Sequence, residues 1–286
     1  GLDGQPPGGR GMSAPSGRQA GAGRHIAIAV TLIVLLLPFL WLLQMSFKTN
    51  DQILQVPPPL IFTPTLSNYI SLWHSAFKSS FVNSLLSASF STALSLLLGV
   101  PAAYALSKWA GRGKRPLSFA ILVTRMAPPI AFTIPFFLFY RWIGLLDTVT
   151  GLVLVYTSFN LPLVIWMMQP FFETVPVSLE EAALVDGAPV RTVFLQIVLP
   201  MVAPGIAATA ILCFLYAWND FFFALILTRT DARTAPVAVV NFMNYEGWEW
   251  GKIAAGGSLV MAPVLIFSLA VRRYLVSGLT AGAVKG

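Results

Sequence analysis

Long apolar runs, each closed by charge, proline or glycine, divide this chain into six segments of membrane-spanning length. A crossing helix needs roughly 20 mostly apolar residues, because each residue rises about 1.5 Å through a hydrocarbon core about 30 Å thick. The first run extends from Ile26 to about Met45, the second from about Phe81 to Leu106, and the third from Leu117 to about Tyr140. The fourth covers Leu152 to about Met168, the fifth runs from near Ile197 to about Leu227, and the sixth spans Ile253 to about Val271. Pro200 and Pro204 interrupt the fifth run, which is longer than a bilayer requires, so a kink, a tilt or an extension into water is expected there. Between the first two runs, Leu66, Ile70, Trp73 and Phe77 recur at helical spacing. They predict an amphipathic helix on the membrane surface, with Tyr69 and Trp73 as interfacial anchors.

Composition sharpens this picture. Of 286 residues, 56% are apolar and 10% are charged, with a mean hydropathy of +0.75. Soluble domains carry about 25% charge, so a soluble enzyme is excluded and an all-α, polytopic membrane protein is predicted. The net charge of +7 reads as topology rather than as a nucleic-acid footprint. With the N-terminus inside, eleven Lys and Arg fall on cytoplasmic segments and six on outer ones, while Arg125 lies within a span. Both termini are therefore expected on the cytoplasmic side of the membrane. Residues 1–24, rich in Gly, Pro, Ser and Arg, are expected to be disordered. The first run is too long for a signal-peptide core and reads as a retained helix. Cys213 is the only cysteine, so no disulfide framework exists.

The connection between the fourth and fifth runs carries the most specific pattern. Ser178 followed by Glu181 predicts a capping box that starts a helix. Gly187 then supplies a left-handed stop, and Pro189 suits the first turn of a second helix. Two short helices meeting at a sharp corner are expected. Glu181-Ala182-Ala183, three residues, Gly187, nine residues, Ile197, one residue and Leu199-Pro200 complete the segment. This arrangement resembles the cytoplasmic loop signature of ABC importer permeases, and it fits without a gap. Trp218-Asn219-Asp220, the segment Met45 to Lys48, and the tail Gly278 to Gly286 resemble the MalG-type carbohydrate-uptake branch.

The resemblance implies a MalG/MetI-like fold of six transmembrane helices over residues 25–276, with a coupling loop over 174–199 and a cytoplasmic tail over 277–286. It implies that Glu181, Ala182, Ala183, Asp186, Gly187, Leu199 and Pro200 form the contact with an ATPase subunit. Small Ala182 and Ala183 permit close approach, Glu181 can pair with a basic or hydroxyl group, and Gly187 holds the corner. Gly278 and Lys285 would reach the ATPase pair. The implied partners are a homologous second permease, two ATPase subunits, an extracytoplasmic sugar-binding protein and membrane lipid. No G-x-x-x-x-G-K-[ST] sequence is present, since Gly113-Lys114 and Gly251-Lys252 are followed by Arg115 and Ile253. No cofactor is therefore expected on this chain, and ATP and Mg belong to the partner ATPase.

Other residues leave alternatives open. Trp218, Asn219 and Asp220 offer a ring, an amide and a carboxylate, either for a sugar in the translocation pathway or for a contact with the partner permease. Arg125 suits backbone carbonyls or a wet cavity, and depth along the spans argues against a direct Arg125–Asp220 ion pair. Asn244, Tyr245, Trp248 and Trp250 in the last outer segment mark either the membrane interface or, by the resemblance, a docking site for the binding protein. His25 and His74 lack neighbours at metal-ligand spacing, and no catalytic triad setting is present, so neither a metal nor catalysis is expected. The implied activity is uptake of a di- or oligosaccharide by alternating access. A glycerol 3-phosphate permease, or an ion-coupled transporter using Asp220, is the alternative.

Overall fold

A computed structural model describes residues 17–126, 128–244 and 247–283. Helix α1 (Gly17–Ser46) leads through the short α2 (Asn50–Leu54) and α3 (Ser67–Trp73) into α4 (Phe77–Lys108). Then come α5 (Lys114–Met126), a 3-10 turn at Pro129–Phe132, α6 (Thr133–Trp142) and α7 (Val149–Glu173). A corner follows, formed by α8 (Val177–Val185), α9 (Val190–Thr192), a π-helical stretch Val193–Val198 and α10 (Leu199–Met201). The chain ends with α11 (Ala203–Trp218), α12 (Phe222–Leu227), α13 (Ala235–Val240), the antiparallel pair β1 (Met243–Asn244) and β2 (Gly247–Trp248), and α14 (Trp250–Ala283).

Gly23–Ser46, Phe77–Lys108, Val149–Glu173 and Trp250–Leu269 are each long and apolar enough to cross a bilayer. Two helix pairs pass the same test together but are bent: Lys114–Met126 with Pro129–Trp142 by 84°, and Val190–Met201 with Ala203–Trp218 by 76°. With each pair as one span there are six. The third span is thus broken where a continuous helix was expected. The cause is Pro128-Pro129: Pro128 is extended (φ −65°, ψ 129°), as a residue before proline tends to be. A second correction concerns the N-terminus, since α1 already begins at Gly17, inside the segment expected to be disordered. Once the apolar helix is nucleated, each added residue contributes a further hydrogen bond.

The bundle is built around α4. Ser84, Ser87, Ser91, Ser95, Gly99 and Ala103 form a buried stripe of small side chains on this helix. Such stripes let membrane helices approach closely. At Gly99 the approach is tight enough that an added Cβ would lie 2.7 Å from Val164 Cγ1 of α7. Large apolar side chains on α1, such as Leu35 and Phe39, point outward, as they must where lipid replaces water. Helix α3 leaves Leu66, Ile70 and Trp73 exposed as expected of a surface helix, but Phe77, the fourth residue of that stripe, opens α4 and is buried, and Tyr69 packs inward beside Leu72 rather than serving as an outer anchor.

Contacts between loops sort the connections into two ends. At one end, Lys108 and Lys114 pair with Glu180 and Glu173. At the other, Asn83 donates to the carbonyls of Asp231 and Arg233. There Asp147, in a left-handed conformation (φ 54°), accepts from the amides of Arg229, Thr230, Asp231 and Ala232 at 2.9–3.1 Å. Burial alone would raise its pKa, but these four donors outweigh it and hold the carboxyl well below the ordinary range. A depressed carboxylate stabilises the fold above its unfolded value of about 3.9 and loses that contribution as pH falls. Asp147→Ala is expected to destabilise this end by about 2 kcal/mol, discounted for partial exposure. Limited proteolysis near Arg229 and Arg233 at neutral pH should reveal it, and the difference should largely persist at pH 3, because the contribution is lost only as pH falls through the depressed folded value.

Candidate functional site

The corner between α7 and α11 is set by two prolines and a glycine. Pro176 (φ −60°, ψ 126°) caps α8, and no side chain completes a cap. Ser178 therefore sits inside the first turn, and the capping box expected with Glu181 does not form: the helix opens at Val177, two residues earlier than that motif requires. The far end of α8 closes as expected. Gly187 adopts φ +85°, its N–H bonds the carbonyl of Leu184 at 3.1 Å, and the Ala188 N–H bonds that of Ala183 at 3.0 Å. These are the paired bonds of a Schellman motif. Ala183 and Ala188 rest against the same core cluster, supplying its apolar contact. Pro189 then caps α9, accepting from the amides of Thr192 and Val193. Pro200 has no N–H for the carbonyl of Gln196, and the turns before it widen to π geometry.

Glu181, Ala182 and Asp186 are exposed on this corner beside the exposed apolar side chains of Leu184, Val185 and Val190. Ala183 and Leu199 are half-buried and belong to the packing beneath it, and Pro200 is exposed. One functional residue was missed from the sequence. Glu180 is 7% exposed, pairs with Lys108 at 2.5 Å and accepts from the Tyr104 hydroxyl at 2.7 Å. It fastens α8 to the end of α4. Adjacent helical residues point about 100° apart, so Glu180 and Glu181 need not share one face of α8. That was the available signal.

A cavity of about 200 Å³ lies between the break in the third span and the far end of α11. Arg125, Tyr156, Asn160, Tyr216 and Asp220 line it, with Phe159 and Phe223 as apolar walls. Asp220 Oδ2 accepts from the Tyr156 hydroxyl at 3.0 Å and from the Ala224 amide at 3.1 Å. Arg125 donates to the carbonyl of Phe159 at 3.0 Å and lies 4.4 Å from the Tyr216 ring centre. Both readings of Arg125, carbonyl partner and cavity wall, apply together. No ion pair joins Arg125 and Asp220 among the described residues, as expected, yet the two share one cavity rather than lying at separate depths, because α5 ends at Met126 and α11 at Trp218.

Of the three pathway candidates, Asp220 alone lines this cavity. Trp218 is 1% exposed, its indole N–H donates to the Val260 carbonyl at 2.9 Å, and Phe81 meets it edge-on, so it ties α11 to α14 and α4. Asn219 is exposed and donates back to the Leu215 carbonyl. At the opposite end Trp248 is half-exposed, with its ring 4.7 Å from that of Trp250. Asn244 lies on β1, and Tyr245 and Lys285 fall outside the described residues. Gly278 is part of α14, whose backbone runs past the expected boundary at residue 277. Among the described residues no group of three His, Cys, Asp or Glu side chains is placed to hold a metal ion.

The comparisons agree with this architecture. The chain is 40% identical over 269 residues to the trehalose transport system permease protein SugB of Mycobacterium tuberculosis, covering 91% of this chain and 97% of the relative. It is 34% identical over 266 residues to the trehalose/maltose transport system permease protein MalG of Thermococcus litoralis, covering 91% and 95% respectively. A chain of a bacterial ABC transporter involved in the import of the acidic polysaccharide alginate superposes with a TM-score of 0.76 at 27% identity, covering 93% of this chain and 99% of that one. The model of the family described as binding-protein-dependent transport system inner membrane component matches residues 95–280. With that match covering well over half its length, the chain belongs to the binding-protein-dependent transport system inner membrane components, the permease subunits of ABC transporters.

Proposed function

We propose that the chain is the permease subunit of an ATP-driven importer for a di- or oligosaccharide, working by alternating access. The observation that carries this reading is the exposed corner of Glu181, Ala182, Asp186 and Gly187, a capped elbow that none of the described residues covers. The elbow and both termini lie on the cytoplasmic side, by the excess of basic residues there. Two ATPase subunits bind and hydrolyse ATP with Mg, one seated on this elbow. A second permease completes the pathway, and an extracytoplasmic binding protein delivers the sugar to the opposite end, where Trp248 and Trp250 are presented.

The geometry supports transmission along a rod. Helix α11 begins at the bend beyond the elbow and ends beside the cavity, so its 16 residues carry a displacement across about 24 Å. Moving the equilibrium between two access states from 1:99 to 99:1 requires about 5.5 kcal/mol of discrimination by the nucleotide state. In the cavity, Arg125 donates and Asp220 accepts, while the rings of Tyr216 and Phe223 offer faces to a sugar. The Asp220 carboxylate beside Arg125 disfavours a phosphate, which argues for neutral sugars over glycerol 3-phosphate.

The assembled complex in proteoliposomes tests this. Uptake of trehalose or maltose presented on its binding protein should need internal ATP, survive ionophores, and fall at least tenfold in Glu181→Lys. Uptake that persists without the ATPase and collapses with ionophores would establish an ion-coupled carrier instead.

A further inference from the structure

Two adjoining hollows at the elbow end share the Trp109 side chain as a wall. The first, about 730 Å³, is a groove between the ends of α4 and α5, floored by Ile165 of α7. Ala102, Ala105, Leu117 and Ile121 make its sides mainly apolar, and Lys108, the charged residue of its lining, is paired with Glu180. The second, about 600 Å³, lies beyond the indole and is lined by Arg112, Lys114, Arg115 and Glu173. Lys108 and Lys114 are already paired with Glu180 and Glu173. Arg112 and Arg115 are exposed, with no acidic partner among the described residues. The mouth therefore keeps two uncompensated guanidinium groups directly above an apolar slot.

We infer that this groove is a binding site for one anionic phospholipid, whose acyl chain lies along Ala102, Ala105 and Ile121 and whose phosphate bonds Arg112 and Arg115. The small side chains of Ala102 and Ala105 leave the room an acyl chain needs. The depth of about two helical turns from Trp109 to Ala102 lies within the hydrocarbon layer. Trp109 marks the interface where an aromatic ring sits between tail and headgroup. Charge complementarity selects the occupant, since a zwitterionic lipid leaves the two guanidinium charges uncompensated whereas a phosphatidylglycerol headgroup answers them. The inference is separate from the sugar reading: it concerns the flank of the bundle and not the solute path.

The test uses the assembled transporter in nanodiscs containing phosphatidylcholine with rising fractions of phosphatidylglycerol, followed by native mass spectrometry. One phosphatidylglycerol should stay with this chain at least fivefold more often than phosphatidylcholine. Arg112→Gln/Arg115→Gln should abolish the preference. Ala105→Trp, which fills the groove but keeps every charge, should abolish retention. Retention unaffected by Ala105→Trp, or equal retention of the two lipids, would overturn the site. A soluble anion such as glycerol phosphate, added in excess, should not displace the lipid; if it does, the phosphate contact alone holds the lipid and the groove as an acyl-chain site is overturned. A photo-crosslinking residue at position 105 should capture a lipid mass, and capture of a protein chain would show the groove to be an interface.

Discussion

Replacing Glu180 by leucine should uncouple this permease, with sugar uptake falling tenfold or more while the bundle remains inserted. Its carboxylate is the point at which α8 is pinned to α4, with Lys108 Nζ at 2.5 Å and the Tyr104 hydroxyl at 2.7 Å. Tyr104 is itself wedged between Phe172 of α7 and Phe194 of the π-helical stretch, at ring separations of 5.4 and 4.9 Å. Losing the carboxylate therefore frees three elements at once and leaves an ammonium with no counter-charge. Breaking a fully buried pair costs about 3–5 kcal/mol. Lys108 keeps 27% of its side chain exposed and can turn to water, so about 2 kcal/mol is the expected loss. Glu180→Gln keeps an acceptor for Tyr104 and should lose less.

The neighbouring residue supplies the contrast. Glu181→Gln should leave the unfolding midpoint unchanged and weaken only ATPase docking, because this side chain faces outward. A double variant, Lys108→Met with Glu180→Leu, separates charge from position. Exchanging a buried pair for apolar side chains is often neutral or better, so stability should recover while uptake stays low if the elbow's position matters. Full recovery of both would mean that the pair merely stabilises. Purified complexes assayed for unfolding in detergent and for sugar-stimulated ATP hydrolysis give both readings.

How much was legible beforehand follows from the range of the forces involved. The spans could be read because lipid demands a continuous apolar run wherever the chain crosses. The corner could be read because Gly187 and Pro189 act through their own backbone torsions. The broken third span was legible too, since Pro128-Pro129 stands in the middle of the run, but length alone made one helix look sufficient. The serine stripe of α4 likewise marked the face turned to α7. What could not be read was long-range. Asp220 lines a cavity with Arg125, 95 positions earlier, only because the packed bundle sets the break in the third span beside the end of α11. Trp218 has the residue type of a sugar platform and the surroundings of a core residue, and burial decides between them. Glu180 shows the same limit: a glutamate beside a recognised signature looks like part of it until Lys108 and Tyr104 are seen to enclose it.

Gly187 permits the strongest test of the elbow, because the cost of changing it is conformational. Its φ of +85° is one that residues with a Cβ rarely adopt, and a Cβ built there meets no heavy atom within 4 Å. Alanine should thus cost about 1–2 kcal/mol through its backbone alone. Asparagine, which tolerates the left-handed region, should cost less although it is larger. Proline cannot reach this torsion at all, since its ring holds φ near −65°. It also removes the N–H that bonds the carbonyl of Leu184, so the cap must open and α9 must swing away from α8. Gly187→Pro is accordingly expected to abolish uptake, leaving ATP hydrolysis by the associated subunits at its unstimulated level. If the corner acts by its shape, transport should rank glycine, asparagine, alanine, valine, proline. If instead the site only needs room for the ATPase surface, the ranking follows side-chain volume and alanine outperforms asparagine. Measuring sugar molecules imported per ATP hydrolysed across these five complexes decides the matter, and alanine ahead of asparagine would remove the rigid elbow from the mechanism.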